Sequence, residues 1–456
     1  MKRAAWILVF LFVASLPAVT TRLYASDEIE YYSFLRSLWF DHDLSFDNEY
    51  RYFLDHGVAR GIGFRETFVD AVTPTGLRPN FGTIGSALLW VPMYAVADAG
   101  VRTARALGAT VAADGYSRPY LAAMAYGSAL YGFLALLIAA EVAQRFAPSG
   151  VLAAALVWAG TPLPFYMYLA PGMAHACSAF AVALFVLAWL RVRRRWSARG
   201  LAALGALAAL MTMVREQDVF FVAGVAVDYA WTMAAGETAR VPVGERLRGL
   251  AAGAAAFAVA YLPQAWAYLV LNGRLGPAKV VSDKMQWYAP HAGQVLFSPE
   301  HGLFIWTPLA LLAVAGLAIL AARPAATPEA ADRRQALVAL GVMFLAQVYI
   351  SGSVGTWTVA GSFGQRRFVG TTIVLVVGLA GLIRAARGWR RGLGAAALVL
   401  AVWWNLGLMV QFGAGMMDRQ RLTLRDNAYN TFVRVPRELP VLVYRYFFNR
   451  SSFYRP

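Results

Sequence analysis

Long apolar segments constrain the fold of this chain more than any other feature of its sequence. Each segment is near the roughly 18–20 residues that a helix needs to cross a bilayer. Charged residues make up 14% of the chain, whereas soluble domains carry about 25%. The sequence therefore predicts an all-α integral membrane protein with about eleven transmembrane helices. The predicted spans are 4–19, 119–143, 150–168, 173–190, 200–214, 218–235, 249–271, 303–322, 336–353, 368–386 and 394–412.

Arginine-rich connectors between these segments predict the topology. By the positive-inside rule such connectors belong in the cytoplasm. All of them fall there only if one further apolar segment, 83–101, does not span, so we expect it to form a helix on the outer face. The first span is expected to remain in place rather than to act as a cleaved signal peptide. The connectors are 191–199, 240–248, 323–334 and 384–391.

The topology predicts one membrane domain, 1–412, with a first outer loop at 22–118. The tail 413–456 alternates basic and aromatic residues, which suits an outer segment at the headgroup level. The net charge of +16 comes almost entirely from arginine, and its placement between spans favours topology signals over nucleic-acid binding. The single cysteine, Cys177, excludes an internal disulfide and a cysteine-based metal site.

An acidic pair, Asp27 and Glu28, directly follows the first span. Carboxylates at a membrane boundary are costly unless they are solvated or used. Aromatic and aliphatic residues then recur at helical spacing between Tyr31 and Trp39, which predicts an amphipathic helix along the interface. A carboxylate here could serve as a general base towards an acceptor hydroxyl. The alternative is a solvated acidic edge that caps the interfacial helix.

A second polar cluster in the first outer loop contains Asp41, His42 and Asp43. Histidine and carboxylates are common metal ligands, but no second cluster stands at ligand spacing. We therefore predict no metal ligand and no cofactor, and leave open whether a divalent metal takes part. Asp41 and Asp43 are predicted to bind substrate.

Basic outer residues are candidates for holding a phosphate. Attraction to anionic lipid, or snorkelling of the long side chains to headgroups, is the alternative explanation. A single histidine at an outer turn, His175, is expected to be structural, whereas the charged turn at 215–218 is either functional or internally paired. The predicted substrate-binding residues of this group are Lys279, Lys284, His301, Arg366 and Arg367.

In their order along the chain, six segments resemble the GT-C superfamily of glycosyltransferases, which includes the protein O-mannosyltransferases and the lipid A aminoarabinose transferases. The resemblance implies a polyprenyl-phosphate sugar as donor and inversion at the anomeric carbon. It also implies an active site on the periplasmic face of a bacterial inner membrane. The segments are DEIEYY (27–32), RSLWFDHDL (36–44), IGSALLWVP (84–92), ADGYSRPY (113–120), LFSPEHGLFIWTP (296–308) and GSFGQRRF (361–368).

The resemblance assigns the general base to Asp27, with Glu28 beside it, and the donor phosphate to Lys279, Lys284, Arg366 and Arg367. The acceptor would be an envelope glycan, lipid or protein. Several relatives carry a second acid in the turn where this chain has His175, so Glu28, Asp41 or Asp43 supplies that acid or none is needed. A transporter or flippase is the main alternative, but it would favour charged residues at mid-membrane and related halves. A ligase of lipid-linked glycans is a third possibility.

Overall fold

The computed structural model describes residues 2–23, 25–59, 62–234, 242–359, 361–386, 388 and 390–453. Regular structure in these residues is helical, apart from an isolated β-bridge between Met285 and Val354. Three arginines of the predicted connectors and tail lie outside the described residues: Arg240, Arg387 and Arg455.

The chain opens with α1 (Lys2–Ser15), which gives way to a 3-10 turn at Pro17. The first loop then carries α2 (Ser26–Arg36), α3 (Asp47–Asp55) and α4 (Gly85–Ala106). A π-helical turn, Ser37–Asp41, extends α2. The amphipathic helix predicted between Tyr31 and Trp39 is therefore confirmed as a helix, and it begins at the acidic pair.

Twelve further main helices follow, together with short helices and turns that connect them. The main helices are α5 (Arg118–Gln144), α6 (Gly150–Gly160), α7 (His175–Val192), α8 (Ala198–Val214), α9 (Val222–Ala234), α10 (Val243–Ala260), α11 (Leu262–Asn272), α12 (Pro308–Ala321), α13 (Pro328–Gly352), α14 (Thr372–Ala385), α15 (Arg390–Ala414) and α16 (Val435–Phe448). The short helices are Ile62–Phe64, Lys279–Ser282, Ala292–Phe297, Leu303–Trp306 and Leu424–Tyr429. The other 3-10 and π turns are Arg65–Asp70, Phe165–Leu169, Glu216–Phe221, Arg366–Thr371, Asn430–Arg434 and Arg450–Phe453.

Five described helices are long and apolar enough to cross a membrane: α5, α7, α13, α14 with its preceding 3-10 turn, and α15. The pair α10 and α11, bent by 48°, would make a sixth. Helices α1, α6, α8 and α12 are apolar but shorter, at 10–17 residues. This is the architecture of an α-helical membrane protein, while the predicted number of eleven spans stays a prediction.

Prolines explain why two predicted spans form shorter helices. Helix α6 ends at Gly160, and Pro162 and Pro164 follow at once, so the rest of the predicted span 150–168 continues only as a π turn. Likewise, Pro308 divides the predicted span 303–322 into a four-residue helix and α12. Proline lacks the backbone N–H that an interior helix position needs.

Helix α4 covers the segment that we predicted to lie on the outer face. It is 22 residues long and contains Pro92, yet it falls outside the set of described helices that are apolar enough to span. Polar residues such as Asp98 lower its hydropathy. Its buried face includes Trp90 and Tyr94. The placement of α4 on the outer face stays a prediction.

The predicted outer segments meet at one end of the helix bundle. The Thr20 backbone N–H donates to the Tyr168 carbonyl at 2.8 Å. The Gly172 N–H donates to the Glu28 carboxylate at 3.1 Å, and the Gln264 side chain accepts from the backbone N–H at residue 84. We refer to this end, where Asp27 lies, as the Asp27 end. It is formed by 16–23, 25–28, 161–174, 215–221, 272–307 and 353–371.

The arginine-rich connectors meet at the opposite end, which we call the Arg193 end. Arg193 donates two parallel hydrogen bonds of 2.9 Å to Asp228 and one of 2.6 Å to Asp332. The side chains of Arg193 and Asp228 are 6% and 0% exposed. Arg384 also donates to the Phe146 carbonyl at 2.9 Å. These contacts join α7, α9 and α13 through a buried ion pair.

Candidate functional site

Asp27 and Arg366 form an ion pair at the Asp27 end. Asp27 lies in the first turn of α2, and Arg366 begins the 3-10 turn that leads into α14. Arg366 Nη1 donates to Asp27 Oδ2 at 2.7 Å. The Asp27 side chain is 40% exposed and that of Arg366 is 23% exposed. The structure thus brings the predicted base into contact with a predicted phosphate ligand.

Contacts from four other segments hold the loop that carries Arg366. Each contact reaches a backbone atom of this loop, which fixes the path of the chain and hence the start of α14. The contacts are Gln420 Oε1 accepting from the Gly361 N–H at 3.1 Å, His301 Nε2 to the Ser362 carbonyl at 2.9 Å, Tyr166 donating to the Phe363 carbonyl at 2.9 Å, and Gln217 donating to the Arg367 carbonyl at 2.8 Å.

His301 is one of these contacts, and its environment points to a positioning role. The residue is fully buried, its φ angle is 65°, and its ring stacks on Trp306 at 4.5 Å. Burial lowers the pKa of His301 to about 4, against a smaller opposing effect of the hydrogen bond with Ser362. The imidazole is therefore neutral at neutral pH, and it reaches the site through the Ser362 backbone.

Two more arginines surround the ion pair. Arg367 donates to the Thr356 carbonyl at 3.1 Å. Arg215, which follows α8, donates from Nη2 to the Gln217 side chain at 3.1 Å. Its Nη1 is buried and makes no hydrogen bond with any described residue. Burial lowers the pKa of Arg215, although the nearby Asp218 opposes this effect.

The three arginines lie within electrostatic reach of one another. The charges of Arg215, Arg366 and Arg367 all act on the imidazole of His175, which is buried against the ring of Tyr166 at 4.4 Å between ring centroids. Three cations beside one exposed carboxylate form a site that suits an anion of more than one negative charge.

Glu30 is a second carboxyl group close to this site. Its side chain is buried, and burial, followed by the nearby Asp27, raises its pKa well above the usual value. Lys284 also acts electrostatically on Glu30, and its own side chain is exposed. The predicted lysine Lys284 therefore lies within electrostatic reach of the site. Lys279 is exposed at the start of the short helix Lys279–Ser282.

Glu28 faces the protein backbone. Its carboxylate accepts hydrogen bonds from the N–H groups of Ala25 at 3.2 Å and Gly172 at 3.1 Å. The side chain is fully buried, and it satisfies an N-terminal amide of α2 in the manner of a capping box. Of the predicted acidic pair, Asp27 is the member with an exposed carboxylate.

Asp41 and Asp43 lie at the far end of the helix that begins at the acidic pair. Fourteen residues of helix separate Asp41 from Asp27, which corresponds to about 20 Å. Asp41 accepts from Arg36 and, at 2.8 Å, from Asn48. Asp43 accepts from the Ser37 hydroxyl at 2.8 Å. The structure does not bring this predicted pair to the Asp27–Arg366 site.

Arg36 organises that distant part of the loop. It pairs with Glu49 at 2.9 Å and lies 4.6 Å from the centre of the Tyr116 ring. Burial raises the pKa of Glu49 to about 7, although the hydrogen bond from Arg36 opposes this shift. Among the described residues, no three His, Cys, Asp or Glu side chains come together as in a metal site.

The sequence prediction named Asp27, Arg366 and Arg367 but did not include Arg215 among the substrate ligands. The signal was the charged turn at 215–218, which was equally compatible with internal pairing. No protein-family model matches the chain, and a search of curated proteins found no match. The functional argument therefore depends on the Asp27–Arg366 site and on the segments that place it.

Proposed function

We propose that the protein is an inverting glycosyltransferase that uses a polyprenyl-phosphate sugar as donor. The observation that carries the proposal is the ion pair between an exposed carboxylate, Asp27, and Arg366 at one end of a membrane-type bundle, with Arg215 and Arg367 within electrostatic reach. A lipid-linked donor keeps its prenyl chain in the bilayer, so its phosphate and sugar lie where the helices end.

The proposed chemistry is a single displacement at the anomeric carbon. Asp27 takes the proton of an acceptor hydroxyl, and the hydroxyl oxygen forms a bond to the anomeric carbon. The bond from that carbon to the phosphate oxygen breaks, and the phosphate keeps the electron pair. Arg366 and Arg215 stabilise the charge that develops on the leaving phosphate.

The ion pair suggests how the donor activates the base. In the free protein, Arg366 donates to Asp27, so the carboxylate is occupied. A donor phosphate competes for the same guanidinium. When Arg366 turns to the phosphate, Asp27 becomes available to accept a proton from the acceptor.

We further propose that the Asp27 end faces the periplasm of a bacterial inner membrane, with about eleven passes of the chain. Support comes from the grouping of arginine-rich connectors at the Arg193 end, which the positive-inside rule places in the cytoplasm. The acceptor is an envelope glycan, lipid or protein. The alternative, a transporter or flippase, is less favoured because the cluster lies at the end of the bundle rather than at its middle.

Donor turnover tests the proposal. Purified protein in nanodiscs would be given a panel of polyprenyl-phosphate sugars with crude envelope acceptors, and released polyprenyl phosphate would be measured. Asp27→Asn should reduce release by about a hundredfold or more. Asp47→Asn is the matched control, since Asp47 also lies in the first turn of a helix, pairs with arginine and has a side chain 40% exposed.

The outcomes separate the alternatives. Release by the wild type and by Asp47→Asn, but not by Asp27→Asn, supports both the reaction and the base. Equal release by all three would remove Asp27 from the role of base. Donor binding without any release, together with movement of the donor across vesicles, would favour the flippase.

A further inference from the structure

A cavity of about 460 Å³ lies at the Asp27 end, between the end of α1, the beginning of α5 and the C-terminal segment. Its walls contain three arginines, Arg22, Arg118 and Arg450, together with the rings of Tyr126 and Phe447. None of the described residues that line it is acidic. The Asp27–Arg366 pair is not part of its lining.

Specific contacts from the tail build this cavity. Arg450 donates hydrogen bonds of 2.9 Å to the carbonyls of Pro17 and Val19. Tyr446 donates to the Ala18 carbonyl at 2.6 Å, and the Arg450 guanidinium lies 4.3 Å from the centre of the Tyr446 ring. The cavity walls are thus joined by a set of directed bonds.

The charge of the cavity predicts an anionic ligand. Arg118 stands at the N-terminus of α5, the 27-residue helix that is apolar enough to span a membrane. The arginine side chains and the positive end of that helix both favour a phosphate.

The position of the cavity predicts that the anion belongs to a lipid. Tyr126 is 42% exposed two turns along α5, and Phe447 is 48% exposed, so aromatic surface continues from the cavity along the flank of a membrane helix. The adjacent Phe448 is 76% exposed. Aromatic side chains at span ends lie at the headgroup level. An apolar border of this kind would contribute nothing to the binding of a soluble phosphate.

We propose that this cavity binds the phosphate headgroup of an anionic membrane lipid. Arg118 and Arg22 contact the phosphate, while Arg450 fixes the tail and closes the site. The lipid chains lie against Tyr126 and Phe447. Binding of the lipid joins the tail to α1 and α5, so it stabilises the folded protein.

Native mass spectrometry of the detergent-solubilised full chain, titrated with phosphatidylglycerol, tests the proposal. Arg118→Gln should weaken binding of the tightest lipid by about tenfold. Arg105→Gln is the matched control, because Arg105 is an exposed arginine at the end of α4 outside the cavity. Ser451→Trp is a second variant, which keeps every arginine but fills the cavity from the tail.

Thermal unfolding of the same proteins gives an independent measurement. Phosphatidylglycerol should raise the Tm of the wild type and of Arg105→Gln, but not that of Arg118→Gln or Ser451→Trp. Equal lipid binding by all four proteins would overturn the proposal. If glycerol phosphate or inorganic phosphate competes with the lipid at equal concentration, the site takes a soluble anion and the lipid assignment is wrong.

Discussion

Arg366 and Asp27 are 339 residues apart in the chain and 2.7 Å apart in the structure. The contact joins the first loop to the beginning of α14. The clamped loop 361–367 presents Arg366 on one side, and the first turn of α2 presents Asp27 on the other. Arg215 and Arg367 add positive charge near this pair. Neither of them forms an ion pair with a carboxylate among the described residues.

Arg215→Met should abolish most of the transfer activity while leaving the fold intact. The Arg215 side chain makes one described hydrogen bond, to Gln217, and its buried Nη1 has no described partner, so its removal should cost about 1–2 kcal/mol of stability. Loss of a phosphate ligand should lower kcat by about a hundredfold. Release of polyprenyl phosphate and the Tm would be measured for each variant.

Arg145→Met is the control for Arg215→Met. Arg145 pairs with Glu141 on the surface of α5, where its side chain is 31% exposed, and such pairs contribute little. Normal activity of Arg215→Met would show that this residue is not a phosphate ligand. A large drop in its Tm would instead assign it a structural role.

The stability of the wild type should contain a pH-dependent contribution from His301. Its folded pKa of about 4 lies below the ordinary value of 6.5, so the unfolded chain binds more protons between these values. This contribution is complete above about pH 6.5 and is lost as pH falls towards 4. It amounts to at most about 3 kcal/mol.

Thermal unfolding of the wild type and of His301→Gln between pH 4 and 8 measures this contribution. The difference in stability between the two proteins should favour the wild type more at pH 7 than at pH 4.5. Taking the difference cancels other groups, including Glu49, whose raised pKa of about 7 acts with the opposite sign. A difference that does not change with pH would contradict the prediction.

Asp228→Asn should destabilise the protein by about 3 kcal/mol, because the buried Arg193 loses its bidentate, fully buried partner and keeps only the exposed carboxylate of Asp332. Asp332→Asn removes the other carboxylate of the same arginine, but the Asp332 side chain is 65% exposed, and we expect an effect below about 1 kcal/mol. Chemical unfolding in detergent would compare the two. Equal destabilisation by the two substitutions would show that the buried bidentate pair contributes no more to stability than the exposed pair.

Labelling with a membrane-impermeant maleimide should distinguish the two ends of the bundle. The single native cysteine, Cys177, is buried, so the wild type should stay unlabelled. Tyr288 is fully exposed at the Asp27 end, and Tyr288→Cys should label in intact spheroplasts. Ala326→Cys, in the exposed connector at the Arg193 end, should label only after lysis. The reverse pattern would invert the proposed orientation.

The sequence predicted helices better than it predicted their limits. The apolar segments predicted the positions of most helices, because a helix that is buried in lipid or protein must be apolar. Helix ends depended on local prolines such as Pro162 and Pro308. Both were visible in the sequence, but hydropathy alone did not include their effect on the backbone.

The site was predictable only in part. Asp27 and Arg366 were named from a resemblance of ordered segments, and the structure places them in contact. Glu28 was named beside Asp27 from the same resemblance, and Asp41 from its residue type. Neither basis reveals whether a carboxylate faces solvent or is already bound to another group of the protein. Their partners, Gly172 and Arg36, are determined by packing between segments, and no local pattern specifies that packing.

The bond from Tyr446 to the Ala18 carbonyl joins positions 428 residues apart. At a synthesis rate of about 5–20 residues per second, about 20–90 s pass between the appearance of these two residues. Helix α1 must therefore stay in place without this bond until residue 446 has been synthesised. Until then, α1 depends on contacts with residues that are synthesised earlier, such as Phe133, whose ring stacks on Phe12 at 4.3 Å. The C-terminal segment therefore secures α1 only after the helices between them have been synthesised.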